Sequence, residues 1–332
     1  LNFAGDYTWR AALTYRETVP GTLLRGYSFG PTITHYSYYD RSLGNRYNIG
    51  VNANATFRNF WSTRFSLTRY FRGFDAQLTR GGPVMGVPRG WGASWSLQNR
   101  SGSQTRWNGS ANYQSNEIGD YTWRLGTSFS VRPSPPLELS LRPAYRNERG
   151  TRATFSGPIN RQFLATLPGG RLETFGNRYV FGFPDRTTLS TQFRVSYTFK
   201  PDMTLDVYAE PFAASGRYLA YGETLVPGAR DLRVYGEDGT TITRLEDGSY
   251  TVVDGNSSFA LANRDFNIRS FRSNVVLRWE WRPGSTLFVV WQQNRASREA
   301  YGSHVGFGDL FESLTASGDN IFAVKTTLWS SM

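Results

Sequence analysis

Apolar and polar residues alternate along most of this chain, and helical periodicity is almost absent. In residues 7–16 the odd positions are aromatic or aliphatic, while the even positions, apart from Ala12, are Thr or Arg. In SNVVLRWEWRPGSTLFVVW (residues 273–291), Arg278 and Glu280 alternate with Leu277, Trp279 and Trp281. Because successive side chains of a strand point to opposite faces, such segments predict strands with one apolar and one polar face.

The connections between these segments follow a second pattern, in which tight turns alternate with longer loops. Longer connections lie near Asp40, Gly81 and Asn116 and over residues 149–186, 215–265 and 296–319. Tight turns with Pro, Gly, Ser or Asn lie between them, near Val19, Phe60, Ser101, Pro133, Lys200 and Arg282. This order is typical of an up-and-down transmembrane β-barrel with tight periplasmic turns and longer outer loops.

The pattern predicts thirteen strands. They lie near residues 7–17, 22–39, 46–59, 61–79, 90–100, 104–116, 120–132, 136–148, 186–200, 202–214, 265–282, 284–297 and 319–330. Bacterial single-chain barrels have an even strand number, so we expect at least one further strand upstream of Leu1. The expected fold is therefore an all-β, up-and-down antiparallel transmembrane β-barrel of about 14 strands. We expect residues 1–332 to form the barrel portion of a longer protein, with long extracellular loops near residues 149–186, 215–265 and 296–319.

Two β architectures would use the alternation in opposite ways. In a soluble sandwich the apolar faces meet and the charges cover the outside. In a membrane barrel the apolar face meets lipid and the polar face lines a wet lumen. Long strands, aromatic residues towards the strand ends and unequal loops favour the barrel. We found no repeat of the length of a propeller blade, and no apolar run approaches the roughly 20 residues of a membrane helix.

The predicted polar face is strongly basic. The formal net charge is +11, and Lys200 and Lys325 are the only lysines. The basic residues on the polar side are Arg10, Arg16, Arg46, Arg58, Arg64, Arg100, Arg106, Arg124, Arg132, Arg142, Arg146, Arg194, Lys200, Arg272, Arg278, Arg282 and Lys325. As the candidate lining of an anion path we take Arg10, Arg58, Arg100, Arg124, Arg142, Arg194, Arg278 and Lys325, because rings of basic side chains favour anions in pores.

Acidic and aromatic residues complete the predicted barrel wall. The lumen acids are Glu138, Asp206, Glu210 and Glu280. An aromatic girdle at the membrane interfaces is predicted at Trp9, Trp107, Trp123, Trp279 and Trp281. A structural alternative stays open for the charged set, because cross-strand ladders of arginine and carboxylate can simply stiffen a barrel and hold water.

Three segments resemble a known bacterial family of unknown function. They are DFNIRSFRSNVVLRWEWRPGSTLFVVW (residues 265–291), residues 178–218 and the closing NIFAVKTTLW (residues 320–329). In that family a module similar to family-nine carbohydrate-binding domains precedes a C-terminal outer-membrane β-barrel. The resemblance implies that this chain is the barrel part, that a soluble module lies upstream, and that carbohydrate is a candidate partner. It transfers no catalytic residues.

Little in the sequence points to catalysis. The chain has no cysteine, and its two histidines, His35 and His304, are far apart, with Asp40 and Asp309 as the nearest acids in sequence. We therefore expect no enzyme, no metal site and no cofactor. The acidic stretches at residues 236–239 and 245–256 lack the spacing of a calcium loop. Nucleic-acid binding needs arginine and aromatic residues on one surface, whereas alternation places them on opposite faces.

The sequence thus leads to two expectations for function. The first is a barrel in the bacterial outer membrane that contacts membrane lipid and passes or binds small polar solutes, with anions or carbohydrate as candidates. The second is a plugged structural barrel that anchors a soluble domain of the same chain or joins other envelope proteins in a larger complex. An open or a filled bore distinguishes them.

Overall fold

The computed structural model describes residues 6–39, 45–100, 102–150, 162–301 and 304–329. Most of the described residues are in strands, with one short helix, α1 (Phe307–Glu312), and 3-10 turns at Leu172–Thr174 and Ser313–Thr315. In chain order the strands are β1 (Asp6–Ala12), β2 (Tyr15–Glu17), β3 (Leu24–Tyr38), β4 (Asn45–Phe57), β5 (Ser62–Tyr70), β6 (Gly73–Asp75), β7 (Met85–Val87), β8 (Gly90–Gln98), β9 (Thr105–Asn116), β10 (Tyr121–Ser134), β11 (Leu137–Arg149), β12 (Gln162–Pro168), β13 (Asn177–Lys200), β14 (Met203–Glu223), β15 (Arg233–Val234), β16 (Thr240–Arg244), β17 (Tyr250–Asp254), β18 (Ser257–Leu261), β19 (Phe266–Arg282), β20 (Ser285–Glu299) and β21 (Gly318–Thr327).

One large antiparallel sheet dominates the fold. Its path is β1-β3-β4-β5-β8-β9-β10-β11-β13-β14-β19-β20-β21, with β2, β12 and β15 pairing at its margins. The all-β antiparallel class and the thirteen predicted strands are confirmed. Within the described residues β1 and β21 pair with one neighbour each along this path and form its two edges. Because every step along the path reverses direction, the two edge strands run the same way.

Connections at the two ends of this sheet differ, as the sequence predicts. Tight turns join β2 to β3, β4 to β5, β8 to β9, β10 to β11, β13 to β14 and β19 to β20. The β5–β8, β11–β13, β14–β19 and β20–β21 connections are longer and lie at the opposite end of the sheet, which we call the loop end. The connection predicted as longer near Asn116 is short (residues 117–120), and the one near Asp40 lies mostly outside the described residues. No helix in the described part of the chain is long and apolar enough to cross a membrane.

Two strand predictions need correction. The strand predicted near residues 61–79 ends at Tyr70, because the chain turns over β4 at Gly73, where a Cβ would lie 2.4 Å from the Arg46 Cβ. The hairpin of β13 and β14 is longer than predicted. Residues 177–185 and 215–223 continue it beyond β11, and they pair with β12 and β15 as well as with each other. The apolar residues of 177–185 are buried on both faces, so the sequence there does not alternate.

The β5–β8 loop (residues 71–89) demonstrates that the large sheet is curved. At one end Asp75 binds Arg46 of β4, with 3.2 Å between Oδ2 and Nη1. Met85 packs with Phe181 of β13, although five strands separate β4 from β13 in the sheet. Asp75 and Met85 are directly paired between β6 and β7, so the two contacts are close together. The sheet must curl to bring β4 and the extension of β13 together.

The two faces of the large sheet carry different side chains. Cross-strand pairs join Phe129 to Leu141 and Leu141 to Phe193 on the face we call apolar. Ser140 pairs with Arg194 on the other face, which we call polar. Arg46 is on the polar face, so the β5–β8 loop meets β4 from that side. We infer from this contact that the polar face is the concave one.

Most of the apolar face is uncovered, which is unusual for a face of this composition. Phe129, Leu141 and Phe193 are 44%, 42% and 39% exposed, and Trp95 and Trp291 are 46% and 45% exposed. A sandwich would bury these side chains against a second sheet. The described residues provide no second sheet over this face, because the only other sheets are β16-β17-β18 and β6-β7 at the loop end.

Most of the buried core lies at the loop end rather than between layers. One apolar cluster joins Met85 to Tyr179, Phe181, Phe183, Leu232 and Val234. A second cluster packs Val252 and Leu261 of the small β16-β17-β18 sheet against Val180, Tyr218, Tyr221 and Tyr235. The hairpin of β16 and β17 turns at Asp247 and Gly248, where Gly248 has a φ of +83° that favours glycine.

Ion pairs hold the same region together. The Arg178 guanidinium lies 2.7 Å from Glu223 and 2.8 Å from Asp254, and Arg233 also binds Asp254, at 2.9 Å. Hydrogen bonds from Arg233, and then from Arg178, lower the pKa of Asp254. Nearer the β5–β8 loop, Glu117 binds Arg72 and Arg89, and the Arg72 hydrogen bond lowers the pKa of Glu117 to about 2.

We expect replacement of Arg178 by Met to release the small sheet. The Glu223 side chain, 3% exposed, would keep Arg233 at 3.7 Å as its ion-pair partner among the described residues. Removing one partner of a buried ion pair costs about 3–5 kcal/mol. Amide hydrogen exchange across residues 240–261 should therefore accelerate. Replacement of the exposed Arg244 by Met is the control, and equal exchange in both variants would contradict this role of Arg178.

Candidate functional site

A cavity of about 500 Å³ lies on the polar face, over strands β8 to β13. Its charged lining consists of Arg106, Arg142, Arg194 and Glu138. Three arginines against one glutamate give the lining a net charge of +2. The remaining lining is mostly amide and hydroxyl side chains, namely Gln98, Asn99, Asn108, Ser128, Ser130, Ser140 and Ser196.

Glu138 is the hub of the hydrogen bonds in this cavity. One carboxylate oxygen accepts from Arg106 at 3.0 Å and from the Ser130 hydroxyl at 3.1 Å. The other accepts from Nε and Nη2 of Arg132, at 2.8 and 2.5 Å. Both Arg132 donors thus converge on one carboxylate oxygen, and such charge-assisted hydrogen bonds are roughly twice as strong as neutral ones. Glu138 therefore holds two arginines in place and neutralises part of their charge.

Arg142 and Arg194 are less occupied. In the register of β11 and β13, Arg142 pairs with Gln192 and Arg194 with Ser140, so the two arginines are diagonal neighbours. Arg142 makes no hydrogen bond or ion pair with another described residue, and its side chain is exposed. Arg194 lies over the Tyr208 ring, with its guanidinium carbon 4.9 Å from the ring centre. Their donors are thus available to a ligand with acceptor oxygens.

The next strand along supplies acids. The Ser196 hydroxyl of β13 donates to Asp206 of β14 at 2.7 Å, and Gln192 of β13 donates to Glu210 of β14 at 3.3 Å. The Tyr208 hydroxyl also donates to Glu210, at 2.5 Å. Asp206 and Glu210 are therefore held by neutral donors and border the basic cavity on its β14 side.

The other predicted basic residues do not gather in this cavity. Arg10, Arg124 and Lys325 are on the polar face, but on separate strands, and Arg278 there is paired with Glu280 at 3.0 Å. Arg58 and Arg100 lie beyond the ends of β4 and β8. Arg58 donates to the Gly21 carbonyl, and Arg100 lies over the Phe60 ring. They belong to the tight-turn end of the sheet rather than to the middle of its polar face.

Tryptophans of the predicted girdle share the apolar face. Trp107 pairs with Phe129, Trp123 with Tyr113 and Trp279 with Leu287. Trp9, on β1, is 54% exposed. Trp281 packs edge-to-face against Trp279, with ring centres 6.3 Å apart.

Neither histidine forms a pair suited to acid–base chemistry. His35 stacks on Tyr47, with ring centres 4.4 Å apart. His304 is 4.0 Å from Asp185, and Asp309, its neighbour in sequence, binds Arg269 instead. Asp40 lies outside the described residues. Among the described residues no three His, Asp or Glu side chains form a group that could hold a metal ion.

Sequence reasoning placed Arg106 and Arg132 on the polar face but missed that Glu138 joins them. Their order along the chain gives no such signal, because the pairing depends on strand register. It also missed helix α1. Phe307, Leu310, Phe311 and Leu314 follow the i, i+3, i+4, i+7 spacing of an amphipathic helix, and this signal could have found it.

We expect replacement of Glu138 by Gln to strengthen anion binding, because it frees donors on Arg106 and Arg132. Replacement of Arg142 by Gln should weaken it. For exposed charges each effect should be about 0.5–1 kcal/mol, or roughly two- to fivefold in Kd. Calorimetric titration with sulfate measures both. Glu246→Gln, in an exposed turn, is the charge-matched control, and unchanged affinity in the Glu138 variant would contradict the hub role.

A family model described as "Domain of unknown function (DUF5916)" matches residues 2–329. The match confirms the expectation of a family of unknown function, and it extends well beyond the segments that carry the resemblance. No curated protein matches the chain. The family description gives neither an activity nor a partner.

Proposed function

The chain belongs to the DUF5916 family, whose function is not known, and we propose that it is an outer-membrane β-barrel that passes or binds small polar solutes, with a bias towards anions. The observation that carries this proposal is the uncovered apolar face of the large sheet. Side chains such as Leu141 and Phe193, about 40% exposed across a many-stranded face, need an apolar neighbour. Lipid provides one continuously, whereas a soluble partner would have to cover the whole wall.

The shape of the sheet supports a barrel. The polar face is concave, so it would line a water-filled interior, and the tight turns and long loops are at opposite ends. The tryptophans Trp107, Trp123 and Trp279 on the apolar face suit membrane interfaces, where aromatic rings are enriched.

The edges of the sheet support a fourteenth strand. Because β1 and β21 run the same way, one strand antiparallel to both would close the barrel and give the even number that such barrels have. Both edges expose side chains that such a strand would cover, including Trp9, Phe322 and Val324. We propose that chain upstream of Leu1 provides it, together with a soluble module.

The basic cavity supports the anion bias. Arg142 and Arg194 offer donors within a lining of net charge +2, and such groups favour anions in pores. A carbohydrate site would be expected to offer an aromatic face for stacking. The Tyr208 ring is instead covered by Arg194, so we favour a small anion over a sugar as the solute.

The β5–β8 loop favours a second candidate function. It connects β4 to the extension of β13 across the loop end. There the Gly86 N–H donates to the Ala229 carbonyl, and the Gly228 N–H donates to the Val84 carbonyl. Phe288 and Val290 also put apolar side chains on the polar face. A closed mouth and a partly dry interior would suit a barrel that anchors a soluble module or belongs to an envelope complex.

Conductance in planar lipid bilayers separates the two candidates. We expect the folded full-length protein to conduct, with a reversal potential in a KCl gradient that indicates chloride preference. Replacement of Arg142 and Arg194 by Gln should shift the reversal potential towards cation preference. Replacement of Arg171 and Arg244 by Gln, which removes the same two charges from exposed positions at the loop end, should not. No conductance from folded protein would overturn the solute-passing proposal and favour the anchoring barrel.

A further inference from the structure

Helix α1 and its flanking residues pack on the apolar face, which is the convex side of the sheet. Val305 and Leu310, 7% and 8% exposed, pack against Leu189 and Ala213 of β13 and β14. Arg269 of β19 holds the helix through Asp309, at 2.8 Å. The helix therefore lies where the apolar face meets the charged residues of the loop end.

An apolar groove of about 380 Å³ opens beside this helix. Its floor follows one cross-strand row, in which Trp95, Ala111, Leu125, Tyr145 and Leu189 are paired in succession. Phe307 and Leu310 form its wall, and none of the described residues that line it is charged. Gly109 leaves part of the floor open, because a Cβ there would meet no atom within 4 Å.

We propose that this groove binds an acyl chain of a phospholipid from the surrounding bilayer, an inference that rests on the proposed membrane placement. The groove has the size of a small-ligand site but lacks the convergent charges that bind polar ligands. A polar ligand would lose its hydrogen bonds to water there without replacement. An acyl chain has no such groups to satisfy.

The surroundings of the groove favour a lipid over a protein segment. Towards the tight-turn end it continues into the exposed Phe129, Leu141 and Phe193 side chains of the apolar face. On the helix itself Phe307 and Phe311, four residues apart, are 74% and 71% exposed. Both features place hydrocarbon on the same side as the groove. The Arg269 cluster, with Asp309, Glu299 and Glu312 around it, marks the watery end.

A photoactivatable lipid tests the proposal directly. The protein is reconstituted into phosphatidylethanolamine and phosphatidylglycerol vesicles that contain phosphatidylethanolamine with a diazirine on its acyl chain. After irradiation, cross-linked residues are located by mass spectrometry. We expect the α1 segment and the Trp95–Leu125 floor to cross-link more strongly than apolar-face positions on β3 and β4, because a held chain stays longer than a passing one.

Gly109→Leu fills the groove from its floor, on the apolar face. It should reduce cross-linking at α1 by about tenfold, equivalent to about 1.4 kcal/mol. Ser96→Leu places a leucine on the polar face, outside the groove lining, and should leave the cross-linking unchanged. Cross-links at Phe193 and Leu141 without enrichment at α1 would overturn the proposed acyl-chain site but not the membrane placement. Cross-linking at α1 that is unaffected by Gly109→Leu would do the same. Absence of cross-links anywhere on the apolar face would overturn the membrane placement itself.

Discussion

The alternation of side chains across a hydrogen-bonded antiparallel ladder is the constraint on which this structure depends. Once the register is set, Phe129, Leu141 and Phe193 must share one face, and Ser130, Ser140 and Arg194 the other. A shift of one residue would exchange the two faces. Full burial of a large apolar side chain contributes roughly 1.5–3 kcal/mol. A face of such residues left in water would therefore forfeit much of the stabilisation available to the chain.

The charged residues follow from the same constraint. Most arginines of the sheet alternate with apolar residues and therefore share the polar face, where Glu138 neutralises two of them. Arg142 and Arg194 keep their donors accessible. One ladder thus produces an apolar face suited to hydrocarbon and a polar face whose donors suit anions. The loop end combines its own core with the Arg178 cluster and departs from this simple division.

Strands and tight turns could be predicted because their signals are local. Alternation within about ten residues and turn residues such as those of RPGS (residues 282–285) locate β19 and β20 without knowledge of the rest. The β5–β8 loop was misjudged as strand beyond Tyr70, because its course depends on the close approach of Gly73 to Arg46. The pairings of Glu138 with Arg106 and of Arg178 with Asp254 join distant segments, and no spacing rule predicts them. The groove beside α1 likewise needs strands and helix together.

In the proposed barrel the apolar face of the sheet contacts lipid and the polar face contacts water. The chain contains no cysteine, so single cysteines along residues 190–196 of β13 can carry spin labels in the bilayer-reconstituted protein. Paramagnetic resonance then compares collision with oxygen, which enriches in lipid, and with a water-soluble nickel chelate. The proposed barrel predicts that accessibility alternates with a period of two residues, with oxygen collisions favoured at 191, 193 and 195 and nickel collisions at 190, 192, 194 and 196. Equal access of nickel to both sets would contradict it.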